Sequence, residues 1–164
     1  MMNMLLHARS LLFCIVILVA LTSIGVCAEL ESEAHEKEGE HRNKVALFGG
    51  NTQDGSENGA SIGLEYEYRL NPWLGIGGMA EYAGGDFDSW VIGIPVFIHP
   101  HAGWFFRLAP GLEFEDSETN FLFRIGSGYD FELMPRWSLA PEINVDFADG
   151  DTKLVYGLSL SWEF

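Results

Sequence analysis

The sequence predicts an all-β chain: an eight-stranded, antiparallel, up-and-down transmembrane β-barrel. Three observations carry this. From Lys44 to the last residue, apolar and polar side chains alternate with a period of two, the signature of strands. Most alternating segments run about 10–13 residues, which suits a tilted membrane strand of about 9–11 better than a soluble strand of about 5–6. The links between segments also alternate, tight proline-containing turns with polar, acidic loops.

Residues 1–28 read as a signal peptide. Arg9 precedes an apolar run from Leu11 to Val26, and Val26 and Ala28 fit cleavage before Glu29. The run is short of the roughly 20 residues a membrane-anchoring helix needs. Val26 directly before Cys27 is a poor match to a lipoprotein signal. Both cysteines, Cys14 and Cys27, lie in this segment, so the mature chain has no disulfide and no thiol chemistry. All 24 acidic residues follow it, and Arg9 is the one base lost with it. The mature chain is therefore even more acidic than the full sequence at −15, which argues against nucleic acid as a partner. Residues 29–44, ELESEAHEKEGEHRNK, are Glu-rich with few apolar residues and no strand period. They read as a mobile periplasmic tail, with the barrel in 45–164.

The eight segments are roughly 43–51, 59–70, 73–83, 90–99, 104–114, 121–133, 137–147 and 153–164. The second sets Ile62, Leu64, Tyr66, Tyr68 and Leu70 against Ser61, Gly63, Glu65, Glu67 and Arg69. The last sets Leu154, Tyr156, Leu158, Leu160, Trp162 and Phe164 against Gly157, Ser159, Ser161 and Glu163. Asn71-Pro72, His99-Pro100-His101 and Met134-Pro135-Arg136 supply the three periplasmic turns of such a barrel. The four outer loops fall at 52–58, 84–89, 115–120 and 148–152. Aromatics gather near both ends of the segments, as two interfacial girdles do. Tyr66–Trp73 is echoed at Tyr129–Trp137, and Glu81–Asp86 at Asp146–Asp151, which reads as a repeat of two four-stranded halves. A soluble, lipocalin-like cup is the alternative. It would leave the Gly and Ser of the polar face unexplained, whereas in a small membrane barrel they relieve crowding in the lumen.

The final strand, Leu158-Ser159-Leu160-Ser161-Trp162-Glu163-Phe164, ends on an aromatic. In this it resembles the closing strand of small outer-membrane barrels of the OmpA and OmpX type, although Ser159 stands where such strands often carry glycine. The resemblance covers 45–164 and is one of architecture. It implies a bacterial outer-membrane protein, monomeric, in contact with membrane lipid and lipopolysaccharide. It also implies that Trp162 and Phe164 form the signal read by the barrel assembly machinery.

The polar face then fills the lumen, with Glu65, Glu67, Glu81, Glu113, Asp130, Glu132, Glu142, Asp146 and Glu163 as its acids. Lys44, Arg69, Arg107, Arg124 and Lys153 are its bases. An eight-stranded interior is just wide enough for side chains to fill, and charges confined there must be paired. If Phe114 faces Phe121, Arg124 lies diagonal to Glu113 and Arg107 diagonal to Asp130. If Leu133 faces Trp137, Asp146 falls opposite Arg124, and a Glu113–Arg124–Asp146 cluster follows. Glu65, Glu67 and Glu81 have no evident base. With Leu70 facing Leu74, Glu65 and Glu81 form a like-charged diagonal that needs a proton or a bound cation.

The function expected is a plugged barrel with a structural or interaction role. Its acidic loops would meet lipopolysaccharide through divalent cations. The alternatives are a narrow pore gated by Arg107 and Arg124, and a periplasmic transition-metal site. The metal site would draw on His35, His41, His99 and His101, since imidazole beside carboxylate suits zinc, nickel or copper. A lipid-modifying enzyme would need a base at the outer face, and none of these histidines lies there. Neither catalysis nor a cofactor is therefore expected.

Overall fold

The computed structural model describes residues 42–101, 103–115 and 118–164. The expectations for the signal segment, for most of the tail, and for His35 and His41 lie outside these residues. The described chain is β throughout: β1 (Asn43–Asp54), β2 (Glu57–Asn71), β3 (Leu74–Ala83), β4 (Ser89–Gly93) and β5 (Val96–His101), then β6 (Trp104–Glu115), β7 (Glu118–Tyr129), β8 (Phe131–Met134), β9 (Trp137–Ala148) and β10 (Asp151–Glu163).

These ten segments make eight barrel strands. β4 and β5 are one strand interrupted at Ile94–Pro95, where proline has no N–H to give the ladder. Pro95 still accepts from Gly77 N at 2.9 Å, so the break is bridged. β7 and β8 both pair with β9 and are likewise one strand, interrupted at Asp130. Every pairing is antiparallel, and β1 pairs with both β2 and β10, which closes the barrel.

The strands are staggered as a tilted barrel requires. The paired residues run Ala46, Glu65, Met79, Gly93, Gly111, Leu122, Ala148 and Asp151 around the wall. That path starts near the beginning of β1 and arrives at the opposite end of the barrel, at the first residue of β10. Below, the end where β1 begins and β10 finishes is the near end, and the other is the far end.

Several expected boundaries are corrected. β1 begins at Asn43, and Lys44 is a buried strand residue, so the expected tail boundary at 44 is too late. Three of the four far-end loops shorten, while the link between Ala83 and Ser89 keeps its expected length. Asp54 pairs with Glu57, Glu115 with Glu118, and Ala148 with Asp151. Polar residues there can continue a ladder without alternating, because outside hydrocarbon both faces meet water. Asp149 and Gly150, with φ of 45° and 98°, supply the tight hairpin turn that needs two left-handed residues. His99-Pro100-His101 belongs to β5, and the reversal falls at Gly103. The β6–β7 register also differs. Phe114 faces Thr119, and Leu112 faces Phe121. The shift is by an even number of residues, so every side chain keeps its expected face.

The two faces divide cleanly. Leu47, Ile62, Leu64, Trp90, Ile92, Phe106, Ile143, Leu158 and Leu160 are among the large apolar side chains exposed on the outside. Lys44, Glu67, Glu81, Arg107, Glu113, Arg124, Glu142, Asp146 and Lys153 are buried inside. An outer wall of this composition is stable in hydrocarbon, where closure leaves no unpaired strand edge. Small residues make room within. A Cβ on Gly75 would overlap the Glu67 carboxylate, and one on Gly126 would overlap the Asn144 amide.

Candidate functional site

The lumen is filled by charged side chains in successive tiers. At the near end, Lys44 Nζ donates to both oxygens of Asp130 at 2.8 and 2.6 Å. Ser138 Oγ donates to Asp130 at 3.2 Å, and Ser138 and Ser161 share a hydrogen bond of 2.6 Å. Across the bore, His99 Nε2 lies 2.7 Å from Glu67 Oε1. Arg69 reaches toward Glu67 at 3.7 Å and Glu163 at 3.5 Å.

Deeper in, Arg107 is held from two strands. Its Nη2 donates to Glu65 Oε1 at 2.9 Å, and its Nη1 donates to Asn144 Oδ1 at 2.9 Å and lies 2.8 Å from Glu142 Oε2. Its guanidinium also stands over Phe97 and Phe105, at 5.4 and 5.7 Å from the ring centres. Ser159 Oγ donates to Glu142.

Arg124 is bound on both flanks. Nε and Nη2 donate to Asp146 at 2.6 and 2.7 Å, the parallel fork that suits guanidinium and carboxylate. Nη1 and Nη2 donate to Glu81 at 2.7 and 3.2 Å. Toward the far end, Lys153 Nζ donates to Glu113 at 2.7 Å and Glu115 at 3.2 Å, and Ser89 Oγ donates to Glu113 at 3.2 Å. Phe87, buried in the turn before β4, lies under Lys153 at 5.2 Å.

Several expected pairings are corrected. Arg124 does meet Asp146, its neighbour in the ladder, but the third member of that cluster is Glu81. Glu113 goes to Lys153. Arg107 takes Glu65 and Glu142, and Asp130 goes to Lys44. Glu65, Glu67 and Glu81 each have a basic partner after all. The reason is the width of the bore. An arginine on one wall reaches the far wall as easily as its neighbour, and such contacts cannot be read from adjacent strands. Glu132 is exposed at the near rim and takes no place in the lumen. Ser89 and Phe87 join the lumen from outside the set that the alternation identifies. A lone aromatic in the acidic stretch 84–89 was the available signal for Phe87.

The two described histidines, His99 and His101, are not brought together. His99 is turned into the lumen onto Glu67, while His101 is exposed. Among the described residues no group of three or more His, Cys, Asp or Glu is placed to hold a metal ion. On the outer wall, Trp162 stacks on Phe164 with ring centres 4.8 Å apart and stands 6.4 Å from Trp137. The backbone of Phe164 exchanges hydrogen bonds with Asn43 at 2.9 and 3.2 Å, so the terminal aromatic sits on the closing seam.

No family model matches the sequence, and no curated protein matches it. Solved structures do match the fold. The N-terminal β-barrel domain of OprF from Pseudomonas aeruginosa superposes with a TM-score of 0.60 at 14% identity, over 77% of this chain and 100% of that one. Ail of Yersinia pestis, solved in a phospholipid bilayer nanodisc, gives 0.55 at 13% identity, over 76% and 100%. Neisserial surface protein A gives 0.54 at 12% identity, over 74% and 96%. These are small outer-membrane β-barrels, and the fold described above is theirs.

Proposed function

We propose that this protein is an integral outer-membrane barrel with a sealed lumen, acting through its surface and not by transport or catalysis. One observation carries the reading. Arg124, on β7, is held at once by Asp146 on β9 and Glu81 on β3, so a single buried side chain ties several walls of the bore together. Arg107 does the same between Glu65 on β2 and Glu142 on β9. Apolar residues cover both tiers. Along β7 and β9 the next inward residues toward the far end are Leu122 and Ala148, and along β6 and β9 those toward the near end are Phe105 and Ala140.

An ion crossing this lumen would have to displace buried ion pairs, and breaking them is costly. The surface left for interaction is the acidic far end, with Asp86, Asp88, Glu118, Asp149 and Asp151 exposed there. Contact with lipopolysaccharide phosphates through divalent cations suits that charge. The near-end aromatics Trp137, Trp162 and Phe164 suit the membrane interface and recognition by the assembly machinery.

Purified, refolded protein in planar bilayers tests the sealed lumen. We expect no conductance steps above the bare membrane. Stable channels from the native protein would overturn the proposal.

A further inference from the structure

Residues 84–88, between β3 and β4, form the longest far-end link, and they fold inward over the bore. Phe87 is buried, whereas Gly85, Asp86 and Asp88 are exposed. The Phe87 ring centre stands 5.2 Å from Lys153 Nζ. Beyond Lys153 the mouth opens into a cavity of about 410 Å³, lined by Glu113, Glu115, Glu118, Asp149 and Asp151. The segment therefore covers one part of the mouth and leaves the other part open.

Its hydrogen bonds to the wall are few, and all go to the far-end part of β2. Gly84 N donates to Ala60 O at 2.9 Å, Asn58 N to Asp86 Oδ2 at 3.0 Å, and Asp86 N to Asn58 O at 3.4 Å. Asn58 and Asp86 are exposed, so water competes for two of these bonds. Tyr82 donates to Asp88 at 2.6 Å, but both belong to the same hairpin. Left-handed backbone bounds Phe87 on both sides, with Gly85 at φ 71° and Asp88 at φ 45°. Gly84-Gly85 is conformationally permissive, and a non-glycine residue such as Asp88 is held at positive φ only at a cost. Directly beneath, the β3–β4 ladder is regular from Ala83 and Ser89 inward. Gly59 makes the seat, since a Cβ there would overlap Gly84 O and lie 3.1 Å from the Phe87 ring.

We infer that residues 84–88 are a hinged cap on the far mouth. The segment swings outward as a unit about Gly84-Gly85 and Asp88, lifting Phe87 off Lys153. One buried side chain and three rim hydrogen bonds hold it closed. The Arg124 and Arg107 tiers lie deeper and have no bond to it, so the lumen beneath stays filled when the cap is open. The cap goes beyond the sealed-lumen reading and does not depend on it. It controls access to the upper mouth, around Lys153 and Glu113, and not passage through the barrel.

Amide hydrogen exchange of the folded barrel in detergent micelles, read residue by residue by NMR, tests the cap. The Gly84 and Asp86 amides should exchange with one common opening constant, at least roughly a hundredfold faster than amides of the β2–β3 and β3–β4 ladders. Gly59→Ala wedges the seat and should remove the protection of both amides, while the ladders keep theirs. Asn58→Cys with Asp86→Cys, in a described chain that has no cysteine of its own, should slow both about tenfold or more on oxidation and release them on reduction. Phe87→Ala removes the anchor and should speed both by the same factor. Should a variant fail to fold or the cross-link fail to form, the native profile still decides. Gly84 and Asp86 as protected as the ladders would overturn the cap. Different factors for the two amides in Phe87→Ala would also overturn it, since the segment would then fray residue by residue. Conductance separates this from the sealed lumen: channels would defeat that reading, whereas a silent barrel with a fully protected segment would defeat the cap alone.

Discussion

Arg124 and Glu81 stand 43 positions apart in the chain and on strands that do not pair, yet Nη1 and Oε2 are 2.7 Å apart across the lumen. The contact exists because the barrel is narrow. It is stiff because Asp146 grips the other side of the same guanidinium.

Replacing Arg124 by alanine leaves Glu81 and Asp146 facing each other without their shared base. Removing one partner of a buried ion pair costs about 3–5 kcal/mol. Urea unfolding in vesicles should show a loss of that order. Arg124→Lys should fall between, since it keeps the charge and loses the fork. An unchanged midpoint in Arg124→Ala would mean that the tier does not hold the walls together.

Gly75→Ala places a methyl group where the Glu67 carboxylate lies, and so disturbs the Glu67–His99 pair. Overpacking of this kind typically costs about 1–3 kcal/mol. Adding Glu67→Ala to Gly75→Ala should relieve the clash. The double variant should then be less destabilised than the two single effects added together, a coupling that a double-mutant cycle measures. Simple additivity would count against the contact.

Phe87→Ala uncovers the far side of Lys153. We expect a loss of about 1–2 kcal/mol, below the range for a deep-core phenylalanine because water can enter at the mouth. Lys153 should also become more reactive toward an amine-modifying reagent, read by mass spectrometry. Equal reactivity in both proteins would show that Phe87 does not shield it.

Deleting Phe164 removes the backbone hydrogen bonds to Asn43 and the ring that stacks on Trp162. Membrane insertion should drop, read as loss of the heat-modifiable, protease-resistant band on a denaturing gel. Asn43→Ala should produce a weaker effect, because the Asn43 side chain adds one hydrogen bond to Phe164 O and accepts one from Tyr66. Normal insertion without Phe164 would show that its contacts with Asn43 and Trp162 are not needed for assembly.

The fold was legible in the sequence because a closed barrel in lipid puts one constraint on every strand. Residues facing hydrocarbon must be apolar, residues facing a side-chain-filled bore must be small or charged, and the period of two reports both. Ile62 to Leu70 and Leu154 to Phe164 show it residue by residue, and every expected lumen residue of these two strands is buried or half-buried, whereas Glu132 at the near rim is exposed. The far-end turns were less legible, since beyond the hydrocarbon both faces are wet and the alternation fades.

The membership of the lumen was therefore written in the sequence by itself, because it depends only on which face a residue occupies. Partnership was decided by the tertiary structure. Whether Glu81 meets Arg124, or Glu113 meets Lys153, depends on the diameter and stagger of the barrel, which set what lies across the bore and at what height. Those quantities belong to the closed sheet as a whole and to no single hairpin, so local pairing found Asp146 for Arg124 and could not find Glu81.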